Sequence, residues 1–153
     1  MDIVHILLRL CAATVVGGAL GLNRDLHGKP TGIRTLSLVA LGSALAVMAV
    51  TRAADINAIS RVIQGVLTGI GFLGAGVIMR TAEGQHVHGL TTAACVWLTA
   101  CVGVVCGVAE WQVILVGVPL IFVVLALGGP VEKVIHRWWR GSAEDKPPTN
   151  SPT

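Results

Sequence analysis

Charge is what this chain has least of: 12% of its 153 residues are Asp, Glu, Lys or Arg, where a soluble domain carries about a quarter. With 54% hydrophobic residues, a water-soluble fold of this length would leave large apolar patches bare. The composition therefore excludes a soluble globular protein and points to helices in lipid. The net charge of +3 is accounted for by membrane topology and gives nucleic acid no footprint. Missing too are a nucleophile elbow, a phosphate loop and a zinc-protease helix, so neither an enzyme nor a cofactor is expected. None of the four cysteines lies in a loop, so they carry no information on redox compartment. Cys95 and Cys106 share a helix face on which a thiol pair or soft metal ion could sit, but small packing residues are the simpler account.

What is present is glycine inside apolar sequence. Gly69 to Gly76 reads GIGFLGAG, which spells the GxGxxG of a dinucleotide site. Such a site needs a preceding strand, a following polar-faced helix and an acid about 20 residues on. Here both flanks are apolar and Gln64 is the one strongly polar side chain of the run. Gly65, Gly69, Gly71, Gly74 and Gly76 are instead read as a helix-packing face, with Gly65 and Gly69 at the small-xxx-small spacing that admits a second backbone.

Apolar stretches near membrane-spanning length fall at roughly 3–22, 33–51, 62–79, 89–109 and 111–128, the last holding Pro119. The first lacks a basic leader and a cleavage site and is expected to remain as a span. The fold class is all-α, an integral membrane bundle of five transmembrane helices over residues 1–129. Eight of the eleven basic residues (Arg24, Lys29, Arg34, Arg80, Lys133, Arg137, Arg140, Lys146) fall on one side. By the positive-inside rule the N-terminus faces outward and the C-terminus the cytoplasm. After Gly128-Gly129-Pro130, the apolar stripe Val131, Val134, Ile135, Trp138 and Trp139 predicts an interfacial amphipathic helix over 130–141, anchored by Trp138 and Trp139. A cytoplasmic extension of the fifth helix is the alternative. Residues 142–153 read as a disordered tail.

An internal repeat is also visible. Gly32-Ile33-Arg34-Thr35 opens the second span and Gly89-Leu90-Thr91-Thr92 the fourth, and the same shift of 57 aligns Gly17 with Gly74. Two parallel hairpins plus one helix would account for this, as would chance similarity between apolar helices.

The inner loops hold most of the polar candidates: Arg24, Asp25, Lys29, Arg34, Thr35, Arg80, Glu83, Thr91 and Thr92. Arg24 and Lys29 are expected to snorkel. Asp25 is expected either to pair with Arg34 or to serve a site, and Arg9, inside the first span, to seek Asp55, Gln64 or a carbonyl. His86 and His88 with Glu83 offer a generic metal spacing, while Asp25 with Glu83 is thin for magnesium, so the metal stays unknown.

With Arg24 followed in order by GKPTGIRTLSLVALGSAL, GIGFLGAGVIMR and GLTTAACVWLTACVGVVCG, residues 6 to 108 resemble the MgtC/SapB family of bacterial inner-membrane proteins. The resemblance implies a multi-pass inner-membrane protein tied to growth at low magnesium, stress adaptation and virulence inside macrophages. It also implies a regulator more than a transporter, with the F-type ATP synthase as a membrane partner. The chain departs from the family where Asn23-Arg24 replaces Glu-Arg and where Thr91-Thr92-Ala93-Ala94 replaces Asn-Thr-Ala-Ala. The third loop is about two residues longer, and the chain is expected to be the short form without a soluble C-terminal domain. A non-enzymatic regulator in the lipid bilayer, a homo-oligomer or one acting through helix–helix contacts with another membrane complex, is the first functional expectation. A small cation transporter lined by Asp25, Arg34, Glu83 and Thr92 is its rival, and a nucleotide-binding enzyme the third.

Overall fold

The apolar runs form five helices, each with a window long and apolar enough to cross a bilayer: α1 (Ile3–Leu26), α2 (Ile33–Thr51), α3 (Ile56–Gly76), α4 (Leu90–Val108) and α5 (Trp111–Gly141). The computed structural model describes residues 2–51, 56–80 and 87–141, with side chains except at 79–80, 87 and 132–141. Between α3 and α4 a two-residue antiparallel pair, β1 (Met79–Arg80) with β2 (Val87–His88), sets Met79 opposite His88.

Helix ends differ from the hydropathy expectation for local reasons. α1 runs on past residue 22 to Leu26, because the chain meets no breaker until Gly28, at φ +61, and the Pro30 that follows. α3 starts at Ile56, ahead of residue 62, since Asn57, Ser60 and Arg61 interrupt the apolar run without breaking a helix. Residues 130–141 are helical but continue α5, and Pro130 lies inside that helix. The side chains of Trp138 and Trp139, and all of residues 142–153, lie outside the described residues.

The chain divides into two units, Met1–Val118 and Pro119–Thr153. In the second, the described residues are the continuing α5 helix. In the first, α4 is central: 56% of its spanning window is buried, against 6% for α3. α1, α2 and α4 pack through small residues. A Cβ on Gly17 would lie 2.6 Å from the Leu36 carbonyl oxygen, and one on Gly21 would run into the Ile33 backbone. One on Gly103 would run into the Ala40 carbonyl oxygen, and one on Gly107 would lie 3.0 Å from that of Ala44. With no hydrophobic drive between helices in lipid, such backbone approach supplies the dispersion contacts that hold them. Two buried hydroxyls inside the spans turn back on their own helix, Ser43 donating to the Val39 carbonyl and Thr99 to that of Cys95, while Ser37 of α2 donates across to the Thr14 carbonyl of α1, so all three are satisfied without water.

Both hairpins carry the offset of 57. α2 and α4 are each 19 residues long and begin at Ile33 and Leu90. Gly17 faces Leu36 in the first hairpin, and Gly74 faces Ala93, the shifted position, in the second. The second contact is looser, at 3.6 Å from the Gly74 Cβ position to the Ala93 side chain. Gly89, at φ +94, opens α4 so close to α3's end that a Cβ would meet the Val77 carbonyl oxygen. Ala109, at φ 64, and Glu110 form the tight turn into α5, with Glu110 N–H donating to the Val105 carbonyl.

Gly103→Ala should therefore lower stability by about 1–3 kcal/mol through overpacking. Gly69→Ala, which meets nothing within 4 Å, should leave stability unchanged or raised. Thermal unfolding of the two variants in the same detergent checks the contrast.

Candidate functional site

The polar residues at the end of the bundle that holds the α1–α2 loop form a centre around Arg24. Its side chain is 4% exposed and is the charged group buried among the described residues. From the last turn of α1 it reaches across to α4, where Nη2 donates to Thr92 Oγ1 and Nη1 to Cys95 Sγ at 3.3 Å. Nε donates back to the Pro30 carbonyl at 3.2 Å, so one guanidinium ties α1, the loop and α4 together. The rigid, planar donor fork of arginine suits this, where a lysine would offer a point charge. Arg24's own carbonyl accepts from the His27 and Lys29 N–H groups, which closes the end of α1.

This corrects the expectation that Arg24 snorkels. Snorkelling is the outcome for a long cation at a lipid-facing helix end, and Arg24 faces α4 instead. Lys29, by contrast, is exposed.

Asp25 does not form the expected ion pair with Arg34: among the described residues, its carboxylate accepts from the Ile33 N–H at 2.9 Å. That caps the start of α2, satisfying a donor that the helix leaves open and placing negative charge at its positive end. Gly32 makes the geometry possible, because a Cβ there would occupy the place of the carboxylate.

The polar candidates whose side chains are described therefore do not make one cluster. Arg24 and Thr92 meet, and Asp25 sits next to Arg24 in sequence as the cap of α2. Arg34 and Thr35 line the mouth of an open groove between α2 and α3, with a volume of about 780 Å³. Thr91 is exposed; only the backbone of Arg80 is described, and Glu83 and His86 lie outside the described residues. At the opposite end, Arg9 donates from Nη1 to the Gly107 carbonyl at 2.9 Å, the carbonyl partner among its expected options. That places a cation at the negative end of α4.

Of the glycine face on α3, Gly74 touches Ala93, whereas a Cβ on Gly65, Gly69, Gly71 or Gly76 would meet nothing within 4 Å. The glycines packed inside the chain include two other pairs at the same spacing, Gly17/Gly21 and Gly103/Gly107, a signal already present in the sequence. Sequence reasoning also missed the Cys95 thiol and the Pro30 carbonyl as partners of Arg24. Cys95 and Cys106 are buried and unbridged, and by helical rise stand about 16 Å apart along α4. No group of three or more metal-ligating side chains occurs among the described residues.

Residues 10–134 match the model of the MgtC family. Protein SrpB of Synechococcus elongatus is 46% identical over 148 residues, covering 89% of this chain and 80% of its own length. Protein MgtC of Salmonella typhimurium is 40% identical over 106 residues (69% of this chain, 45% of that protein), and that of Brucella abortus 37% over 132 residues (86% and 55%). The chain thus spans about half the length of these two MgtC proteins. No solved structure matches.

If Asp25 acts as a helix cap, Asp25→Asn should keep stability and Asp25→Ala should lose about 0.5–2 kcal/mol. The Asp25→Arg/Arg34→Asp exchange should fail to restore it. Unfolding midpoints and membrane abundance of the three variants check this.

Proposed function

Because the chain belongs to the MgtC family, we propose that it is a non-enzymatic regulator of the bacterial inner membrane, N-terminus outside, that acts by helix–helix contact with another membrane complex. Adaptation to magnesium limitation or intracellular stress is the setting, and the F-type ATP synthase the first complex to test. One observation carries this reading. Of the three glycine pairs at the small-xxx-small spacing inside helices, Gly17/Gly21 and Gly103/Gly107 are filled from within the chain, and Gly65/Gly69 is open. Phe72, 83% exposed, and the open Gly76 extend that surface along α3. The buried Arg24 guanidinium donates to Pro30 of the loop and to Thr92 and Cys95 of α4, which suits a fixed scaffold better than a moving ion site.

The test is growth at low magnesium in a strain lacking its own family member, read beside membrane abundance and co-purification of ATP synthase subunits. Gly69→Leu should remain inserted at normal abundance, yet lose both complementation and co-purification. Complementation by Gly69→Leu equal to that of the unaltered chain would remove α3 as the contact. Selective ion flux through liposomes holding only this chain would favour the transporter.

A further inference from the structure

The groove between α2 and α3 has the form of a lipid site. On α2 its lining runs from Arg34 and Thr35 to Ser43, and on α3 from Gly65 to Leu73. By helical rise these stretches are about 14 and 12 Å long. Half of a bilayer's hydrocarbon core is about 15 Å, so the groove spans one leaflet. Its walls are apolar, with Leu38, Ile70 and Leu73 among them, and Gly42, Gly65 and Gly69 leave its floor without side chains. Ser43, at the far end, spends its hydroxyl on the Val39 carbonyl, and the other polar side chains of the lining are Arg34 and Thr35. Arg34 and Thr35 lie at the end where α2 begins, the level of a headgroup, and Arg34 is exposed there. The nearby carboxylate, Asp25, is engaged by the Ile33 N–H.

A cation at one end of an apolar channel one leaflet long matches an anionic glycerophospholipid in both charge and reach. Basic pockets between membrane helices take such headgroups, and the volume of about 780 Å³ falls in the range that holds organic ligands, about 300–1,000 Å³. A partner helix on Gly65 and Gly69 would use the α3 side of the groove and leave the arginine at the α2 rim to a lipid phosphate. We propose that this groove holds an acyl chain of an anionic glycerophospholipid whose phosphate rests on Arg34 and Thr35.

The proposal shares Gly65 and Gly69 with the partner reading and is told apart from it on α2, since Arg34 and Gly42 line this groove while Phe72 and Gly76 of the partner surface lie outside its lining. The full chain is equilibrated in detergent with equal amounts of phosphatidylglycerol and phosphatidylcholine, and retained lipid is counted by native mass spectrometry. Phosphatidylglycerol should be retained about fivefold over phosphatidylcholine, the value of one basic residue against an anionic surface. Arg34→Gln, at an exposed side chain, should abolish the preference. Gly42→Leu, where an added Cβ meets nothing within 4 Å and the rest of the side chain would enter the groove, should cut retention of both lipids. Equal retention of the two lipids by the unaltered chain, or undiminished phosphatidylglycerol on Gly42→Leu, overturns the proposal. So does a change of oligomeric state in Gly42→Leu with lipid retention intact, which would make a second copy the occupant.

Discussion

A guanidinium inside a bundle of apolar helices has to be satisfied without water, and the loop end of this protein is arranged around that demand. Leaving Arg24 short of partners in a low-dielectric interior would cost far more than the same defect at a surface. The partners come from three places: a hydroxyl and a thiol on α4 and a carbonyl in the α1–α2 loop. Each fixes something different. Thr92 and Cys95 set the height at which α4 stands against α1, and Pro30 sets the path of the loop that delivers α2. Asp25, one residue on, then caps α2 at Ile33.

The rest of the packing follows from backbone proximity. With α1 and α4 joined at one end by Arg24 and at the other by Arg9 on the Gly107 carbonyl, α2 is held against both through glycine and alanine contacts. α3 repeats the position of α1 in the second hairpin but packs more loosely, and it leaves both an open glycine pair and a groove. The two hairpins thus share an offset of 57 in their helix starts and in one glycine contact, and α3, the less buried member of the second, is where contact with lipid or protein is available.

The number and order of spans were legible in the sequence because a bilayer imposes length and hydropathy on each. Their ends were less so. Hydropathy does not register Asn57 or Arg61 as helical, nor the continuation of α5 through Pro130. Arg24 and Thr92 were both recognisable as candidates, but 68 residues separate them, and no local pattern says whether an arginine at a helix end turns to water or to a neighbour. The pairing of Asp25 with Arg34 assumed that a carboxylate prefers a charge. The competing partner, an N–H at the start of α2, was signalled by Gly32, the residue that leaves room for the carboxylate. Among the glycines, spacing alone treats Gly17/Gly21, Gly65/Gly69 and Gly103/Gly107 alike. Which pair is filled depends on tertiary placement, so the most conspicuous glycine run proved the least packed.

The central claim, that Arg24 is turned inward and bonded to α4, is tested most directly by a double-mutant cycle between Arg24→Met and Thr92→Val, read from unfolding free energies in detergent. Two residues in direct contact should depart from additivity by about 1 kcal/mol or more, with Thr92→Val costing much less once the guanidinium is gone. Additive losses would show that the two side chains do not meet, and would return Arg24 to the membrane surface.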